Sequence, residues 1–406
     1  MITKHLKPSR TIVTSFNPRK TPVSADDANS SSTSSSASSL YEGGDWVLCL
    51  AASSNSIACA LSSGEVQVYD QERLHLTQTF PRGAPASYSS MAPATITSLV
   101  YAPKSPVLVS TDTSGALAVM DLRQGQRTTR ISLPTPALSL GLGYEEGHLA
   151  AVGSDRGRIH FTDLRQPGSL LGTYIDSHTD DVTQVTFCQQ NNPTMLLSGA
   201  EDGLVCVFDT TQPTEETARK SVCSVGTAVR HVGFCGNNSS NIYCLTGSET
   251  LSLWHVESAT AVRDYGWETR SRLSQAAGIA IDYVVDAGWN ETTKQLMVMA
   301  GTSAGDSVLY SLGGNSNEFR AEYLLQGGHR GVVRAWTPLQ PTMSAFMTAG
   351  EDARLCEWRP TPNFTVPTEM STALPSRPAV KRPITVGGPM SGPIRRQKSK
   401  TKASPY

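Results

Sequence analysis

The chain has 406 residues, 38% of them hydrophobic and only 17% charged, with a formal net charge of -1. That composition supplies a large core and excludes a chain that is disordered, collagenous or basic throughout. No apolar run approaches the length of a membrane-spanning helix, and the basic residues Lys4, Lys7, Arg10, Arg19 and Lys20 are not followed by the apolar segment of a secretory signal.

Residues 1–40 come first as a separate N-terminal segment. The Ser-rich stretch Ser30 to Ser39 reads as a flexible linker. Two readings of the rest stay open: residues 11–16 supply a strand that closes the fold, or the segment is disordered throughout. The eight cysteines of the chain are scattered, with no CxxC pair. They read as reduced thiols of an intracellular protein, and neither a metal nor any other cofactor is expected.

Residues 41–360 are a repeat. An apolar run, a turn of small residues with Gly or Asp, and a second alternating run recur as IACALSSGEVQVYD (57–70), LVSTDTSGALAVMD (108–121), LAAVGSDRGRIHFTD (149–163) and LLSGAEDGLVCVFD (196–209). The pattern continues as YCLTGSETLSLWH (243–255), VMAGTSAGDSVLYS (298–311) and FMTAGEDARLCEW (346–358). Its closing residues Tyr69, Met120, Thr162, Phe208, Trp254, Tyr310 and Trp358 lie 42 to 56 positions apart. Val66 and Val68, or Leu204, Cys206 and Phe208, alternate as one face of a half-buried strand does. Each copy follows a shorter apolar segment suited to an inner strand, from WVLCLAA (46–52) to VVRAWTP (332–338). Such units cannot bury both faces alone, and seven of them predict an all-β, seven-bladed β-propeller.

These residues resemble the WD-repeat family. In the seventh copy His329 follows Gly328, and Thr348, Asp352 and Trp358 stand at the family's spacings; His178, Ser198, Asp202 and Phe208 nearly repeat them in the fourth. The resemblance implies a buried hydrogen-bond chain through these side chains, with Phe208 ending the fourth one link short. A catalytic dyad of His329 and Asp352 is the functional alternative, and the family's structural histidines speak against it. Copies one, two, five and six lack the Gly-His opening, and copy three keeps only its turn Asp155. Gly301-Thr-Ser303-Ala-Gly305 matches a nucleophile elbow, but that motif needs a strand-to-helix turn and this one lies between two strands. With no phosphate loop, dinucleotide fingerprint or metal-spaced set, no enzyme and no small-molecule substrate is expected.

Surfaces remain. The resemblance places Thr97, Ser139, Thr183, Arg230, Asp286 and Arg334, with Ser154, Glu201 and Glu351 before the turns, toward one rim where partners bind. The plain alternative is that Arg230 and Arg334 form structural salt bridges. On the other rim Asp121-Leu122-Arg123 and Asp163-Leu164-Arg165 resemble the doubled Asp-x-Arg box of substrate receptors for cullin-4 ubiquitin ligases, although Met120 and Thr162 replace the usual Trp. That resemblance implies docking on the ligase's adaptor. The plain alternative is an Asp that caps its turn beside an ordinary surface Arg.

Residues 361–406 read as a disordered basic tail. From Ser376 onward there are eight Lys and Arg and no acid, which leaves -9 for the remainder. Lys381 and Arg382, then Arg395, Arg396, Lys398 and Lys400, resemble a bipartite nuclear import signal. The expected partners are proteins: the cullin-4 adaptor, an import receptor, or a basic client such as a ribosomal or chromatin protein. Nucleic acid is expected only weakly through the tail, and no membrane.

Overall fold

The structure is a computed structural model that describes residues 4–14, 45–83, 94–166, 168–189, 191–313, 318–339 and 345–360. Seven antiparallel sheets follow one another along the chain, blades I to VII. Their inner strands are Val47–Ala52, Ile96–Tyr101, Ala137–Gly143, Gln184–Phe187, Val229–Cys235, Tyr283–Asn290 and Val333–Pro338. Each inner strand touches the next, and that of blade VII returns to that of blade I. The core is correspondingly divided into seven apolar clusters, one per pair of neighbouring blades. Between blades VII and I, for example, Val47, Ile57, Leu61 and Tyr69 meet Ala345, Met347 and Leu355. This is the arrangement that shields both faces of every sheet.

The recurrent glycines have a second duty beyond opening the hairpin. Gly157 has φ +74°, and a Cβ there would lie 2.1 Å from the His178 carbonyl oxygen of the next blade; Gly305, at φ +97°, would meet the His329 carbonyl at 2.6 Å. The loop leading into each of these blades crosses directly over the preceding blade's second turn, so a side chain is excluded by backbone as well as by φ.

The ring closes through the first residues. Arg10–Val13 is the outer strand of blade VII, antiparallel to Arg354–Trp358. Of the stretch 11–16 singled out above, positions 15 and 16 lie outside the described residues, as do the Ser-rich linker and the tail. Lys4–Leu6 adds in parallel to Arg320–Leu325 as a fifth strand of blade VI, which nothing in the repeat pattern suggests. Blade I joins the seam through Gln71 Nε2, which donates to the Leu339 carbonyl at 2.9 Å, and Gln67 Nε2, which donates to that of Thr14 at 3.2 Å.

A helix, Thr269–Ala277, is inserted between blades V and VI. Leu273 and Ala277 pack on Tyr265, Tyr310 and Phe319, and the Tyr310 hydroxyl donates to the Leu273 carbonyl at 3.0 Å. It decorates the ring without interrupting the blade order. No helix among the described residues is long and apolar enough to cross a membrane.

Candidate functional site

In blade VII the His329 imidazole stands 3.1 Å from Asp352 Oδ1 and 2.7 Å from the Thr348 hydroxyl, which also accepts from Trp358 Nε1 at 2.8 Å. Asp352 further accepts from the backbone N–H of Arg330 and of Arg354 at 2.8 and 3.2 Å. One carboxylate thus ties the loop before the blade to the turn within it. In blade IV, His178 stands 3.2 Å from Asp202 Oδ2 and 2.7 Å from the Ser198 hydroxyl, while Phe208 is fully buried and offers no donor. Burial disfavours a charge on both imidazoles. It holds His178 below its ordinary value, whereas at His329 the hydrogen bonds with Asp352 and Cys356 outweigh it and bring the group up to about 9.

Blade III is knitted differently. His160, on its third strand, lies between the hydroxyls of Thr135 at 2.8 Å and Thr173 at 2.9 Å. This histidine sits off the family's spacing, so the motif search passes over it; its signal is a His in an otherwise apolar alternating run.

Several residues expected on the first of the two rims make bonds to neighbouring blades. The Thr97 hydroxyl donates to the Ala137 carbonyl at 2.9 Å, Ser139 to Val182 at 3.0 Å and Thr183 to Val229 at 2.7 Å. Arg230 Nη1 donates to the Val284 carbonyl at 3.2 Å and lies 3.8 Å from Glu249. The accepting carbonyls lie at, or within two residues of, the start of each next inner strand. Arg334 pairs with Glu351 in its own blade. Asp286 accepts from the Ala287 N–H at 2.7 Å and faces His231 at 3.7 Å. Ser154 is fully buried, and Glu201 is exposed. Ser303 lies in the hairpin between strands Gln295–Gly301 and Ser307–Gly313, where its N–H donates to Asp282 at 2.7 Å. Among the described residues no group of three or more His, Cys, Asp or Glu is placed to hold a metal ion.

The opposite rim carries the two Asp-x-Arg turns in matching geometry. Asp121 ends the third strand of blade II and accepts from the Arg123 N–H at 2.8 Å; Asp163 ends that of blade III and accepts from the Arg165 N–H at 2.9 Å. Each Arg also folds back on its own Asp, with Nη2 to Oδ2 distances of 3.2 and 2.7 Å. The hydrogen bonds from Arg165 hold the Asp163 carboxyl down at about 2. Both arginine side chains are nonetheless well over half exposed. Each uses Nε and Nη2 on its aspartate, so Nη1 is left to face solvent. Beside Arg123 a groove of about 740 Å³ runs along Ser53–Ser56, Pro103–Pro106 and Leu122.

Comparison with known proteins agrees with this architecture. No protein-family model matches the chain. It is 32% identical over 267 residues to WD repeat-containing protein GTS1 of Arabidopsis thaliana, covering 62% of this chain and 66% of that protein, just under two thirds. It is 23% identical over 322 residues to the WD repeat-containing protein 89 homolog of Dictyostelium discoideum, covering 79% and 84%. The chain belongs to the WD-repeat propeller family. A chain in the crystal structure of the mitotic checkpoint complex superposes with a TM-score of 0.62 at 17% identity, over 84% of this chain and 99% of that one, which shows the shared fold. WD-repeat propellers generally serve as scaffolds for protein interactions.

Proposed function

We propose that this WD-repeat propeller is a non-catalytic scaffold that docks on the propeller adaptor of a cullin-4 ubiquitin ligase. It does so through Asp121 and Arg123 with Asp163 and Arg165, and the opposite rim is left for the protein to be recruited. One observation supports the reading above others: consecutive blades end their third strand in the same Asp-held arginine, each side chain well over half exposed. Holding the fork in place beforehand reduces the ordering loss on docking, and Arg is favoured at such anchor points. The double charge reversal Arg123→Glu with Arg165→Glu is expected to abolish capture of the adaptor in pull-downs while leaving the chain folded. Both side chains are exposed, and among the described residues each pairs within its own turn. Full capture by the reversed protein removes the reading.

A second reading is an assembly factor or chaperone for a basic client such as a ribosomal or chromatin protein. It draws on the acidic balance of the chain before residue 376 and on exposed Asp180 and Glu201 beside half-buried Asp181, where the Glu201 N–H donates to the Asp181 carbonyl at 2.9 Å. The same double variant separates the two: a basic protein that still co-purifies with it, and is released by salt, favours the client reading.

We read the tail as a nuclear import address formed by Lys381, Arg382, Arg395, Arg396, Lys398 and Lys400, all outside the described residues. Truncation after residue 375 is expected to move a fluorescent fusion from nucleus to cytoplasm. An unchanged nuclear signal defeats this assignment.

A further inference from the structure

Where the outer strands of blades I and II face each other, positive charge gathers with little among the described residues to balance it. Strand Gln126–Ser132 carries Arg127 and Arg130, a spacing of three that in a regular strand sends side chains to opposite faces. A register break between Arg127 and Thr129 sets Arg127 opposite Met120 and Arg130 opposite Ala118, so the bulge brings both to one face. Met120 packs with Val66, Val68 and Phe80 of blade I, so that face is turned toward blade I.

Both guanidinium groups converge on Gly83, just past the last strand of blade I. A Cβ on Gly83 would lie 2.3 Å from Arg130 Nη1 and 2.6 Å from Arg127 Nη1, and the two nitrogens cannot be further apart than those distances together. Arg82 is the preceding residue, its stem laid along Gly64. Among the described residues the carboxylate paired with this group is Asp112, whose Oδ2 is 3.8 Å from Arg130 Nη2. Its Oδ1 already accepts from Ser114 and Ala116. Among the described residues, Arg127 Nε is shielded from solvent and has no acceptor; Gln78 Oε1, on the facing strand of blade I, is shielded and unpaired as well. Burial and the neighbouring Arg130 both lower the Arg127 pKa, the mark of a cation held where charge is unwelcome.

We propose that this pair of arginines binds a phosphoryl group. Two like charges held together repel, and a dianion between them removes that repulsion. A guanidinium fork matches a pair of oxygens, and two forks need more oxygens than one carboxylate carries; a tetrahedral phosphoryl group supplies them. The same chemistry comes either as free phosphate or as a phosphomonoester on a side chain. The site shares no residue with the Asp-x-Arg rim and stands apart from the docking assigned to it.

Calorimetric titration of the full chain at constant ionic strength, with inorganic phosphate and separately with phosphoserine, tests the proposal. Saturable binding is expected, weakened about tenfold or more in the double variant Arg127→Gln with Arg130→Gln. That variant is expected to melt no lower than the wild type in phosphate-free buffer, because a repulsion has been removed. The double Lys variant keeps the charge and loses the forks; it too is expected to bind more weakly, and it carries the test where the Gln variant fails to fold. Phosphoserine bound more tightly than phosphate marks a modified side chain as the source, and equal binding marks free phosphate; either supports the site. Absence of saturable binding, or equal affinity in the variants and the wild type, overturns it.

Discussion

Removing residues 1–13 is expected to open the ring, with a large fall in melting temperature and a gain in protease sensitivity at blades VI and VII. The reason lies in Glu357, whose side chain is completely buried on the third strand of blade VII. Arg10 grips it in bidentate fashion, Nε to Oε2 and Nη2 to Oε1, both at 2.6 Å. Ser9 Oγ adds 2.9 Å to Oε2, and Arg359 adds 2.7 Å to Oε1. Arg10 Nη1 also reaches the Glu72 carbonyl in blade I. The first strand therefore supplies both a ladder for blade VII and most of the counter-charge for a buried carboxylate. Arg10→Ala alone is expected to destabilise by about 2–3 kcal/mol, since charge-assisted bonds to a buried group are lost. The deletion is expected to do more, because it also bares a sheet edge.

Acid supplies an independent check. Burial would push the Glu357 carboxyl up, but hydrogen bonds from Arg10, Arg359 and Ser9 prevail and bring it from 4.5 down to about 2. A carboxyl held lower in the folded state stabilises above its ordinary value and loses that contribution as pH falls through the folded one. The closure should weaken between pH 4.5 and about 2. In urea denaturation across that range, Glu357→Gln is expected to start less stable and to lose less. Parallel acid profiles for the two proteins would show that Glu357 does not hold the seam.

Much of this architecture was readable because its causes are local. Alternation at period two, and glycine where φ is positive, are written within single phrases of 13 to 15 residues, so the seven blades could be marked off one at a time. A ring also has to close, which pointed to an early strand. The particulars that escaped depend on distance or on register. Nothing near Arg10 in sequence announces Glu357, and a three-residue parallel addition such as Lys4–Leu6 carries no pattern of its own. Six inner strands contain a register break near their start, for example between Val47 and Cys49 and between Val284 and Asp286. That bulge displaces Ser139 and Asp286 one place from Thr97 and Arg230, so counting from the last apolar residue merged two classes of position. Bulges also explain why Arg127 and Arg130 look unrelated in the sequence and share a face in the fold.

Asp352→Ala is expected to destabilise by about 3–5 kcal/mol, among the largest effects of any single substitution outside the apolar core. The side chain is almost fully buried and receives His329 Nδ1 and two backbone N–H groups, with Arg354 Nε at 3.8 Å. Alanine leaves those donors without their acceptor, and the His329 imidazole is buried away from solvent. Trp358→Phe removes one link at the far end of the same chain and imitates what blade IV already has in Phe208; about 1 kcal/mol is expected there. The difference is informative because the two residues belong to one network. If the chain of bonds were ornamental, both substitutions would track apolar volume, and the indole would matter more than the carboxylate. Asp352 also lies next to Ala353, whose carbonyl accepts from the Thr14 N–H at 2.8 Å. Losing the turn should therefore loosen the closing strand too, visible as faster amide hydrogen exchange at Arg10–Val13 in Asp352→Ala and not in Trp358→Phe. Equal stabilities for the two variants, or unchanged exchange at the closing strand, would leave His329 and Asp352 without the structural role argued for them.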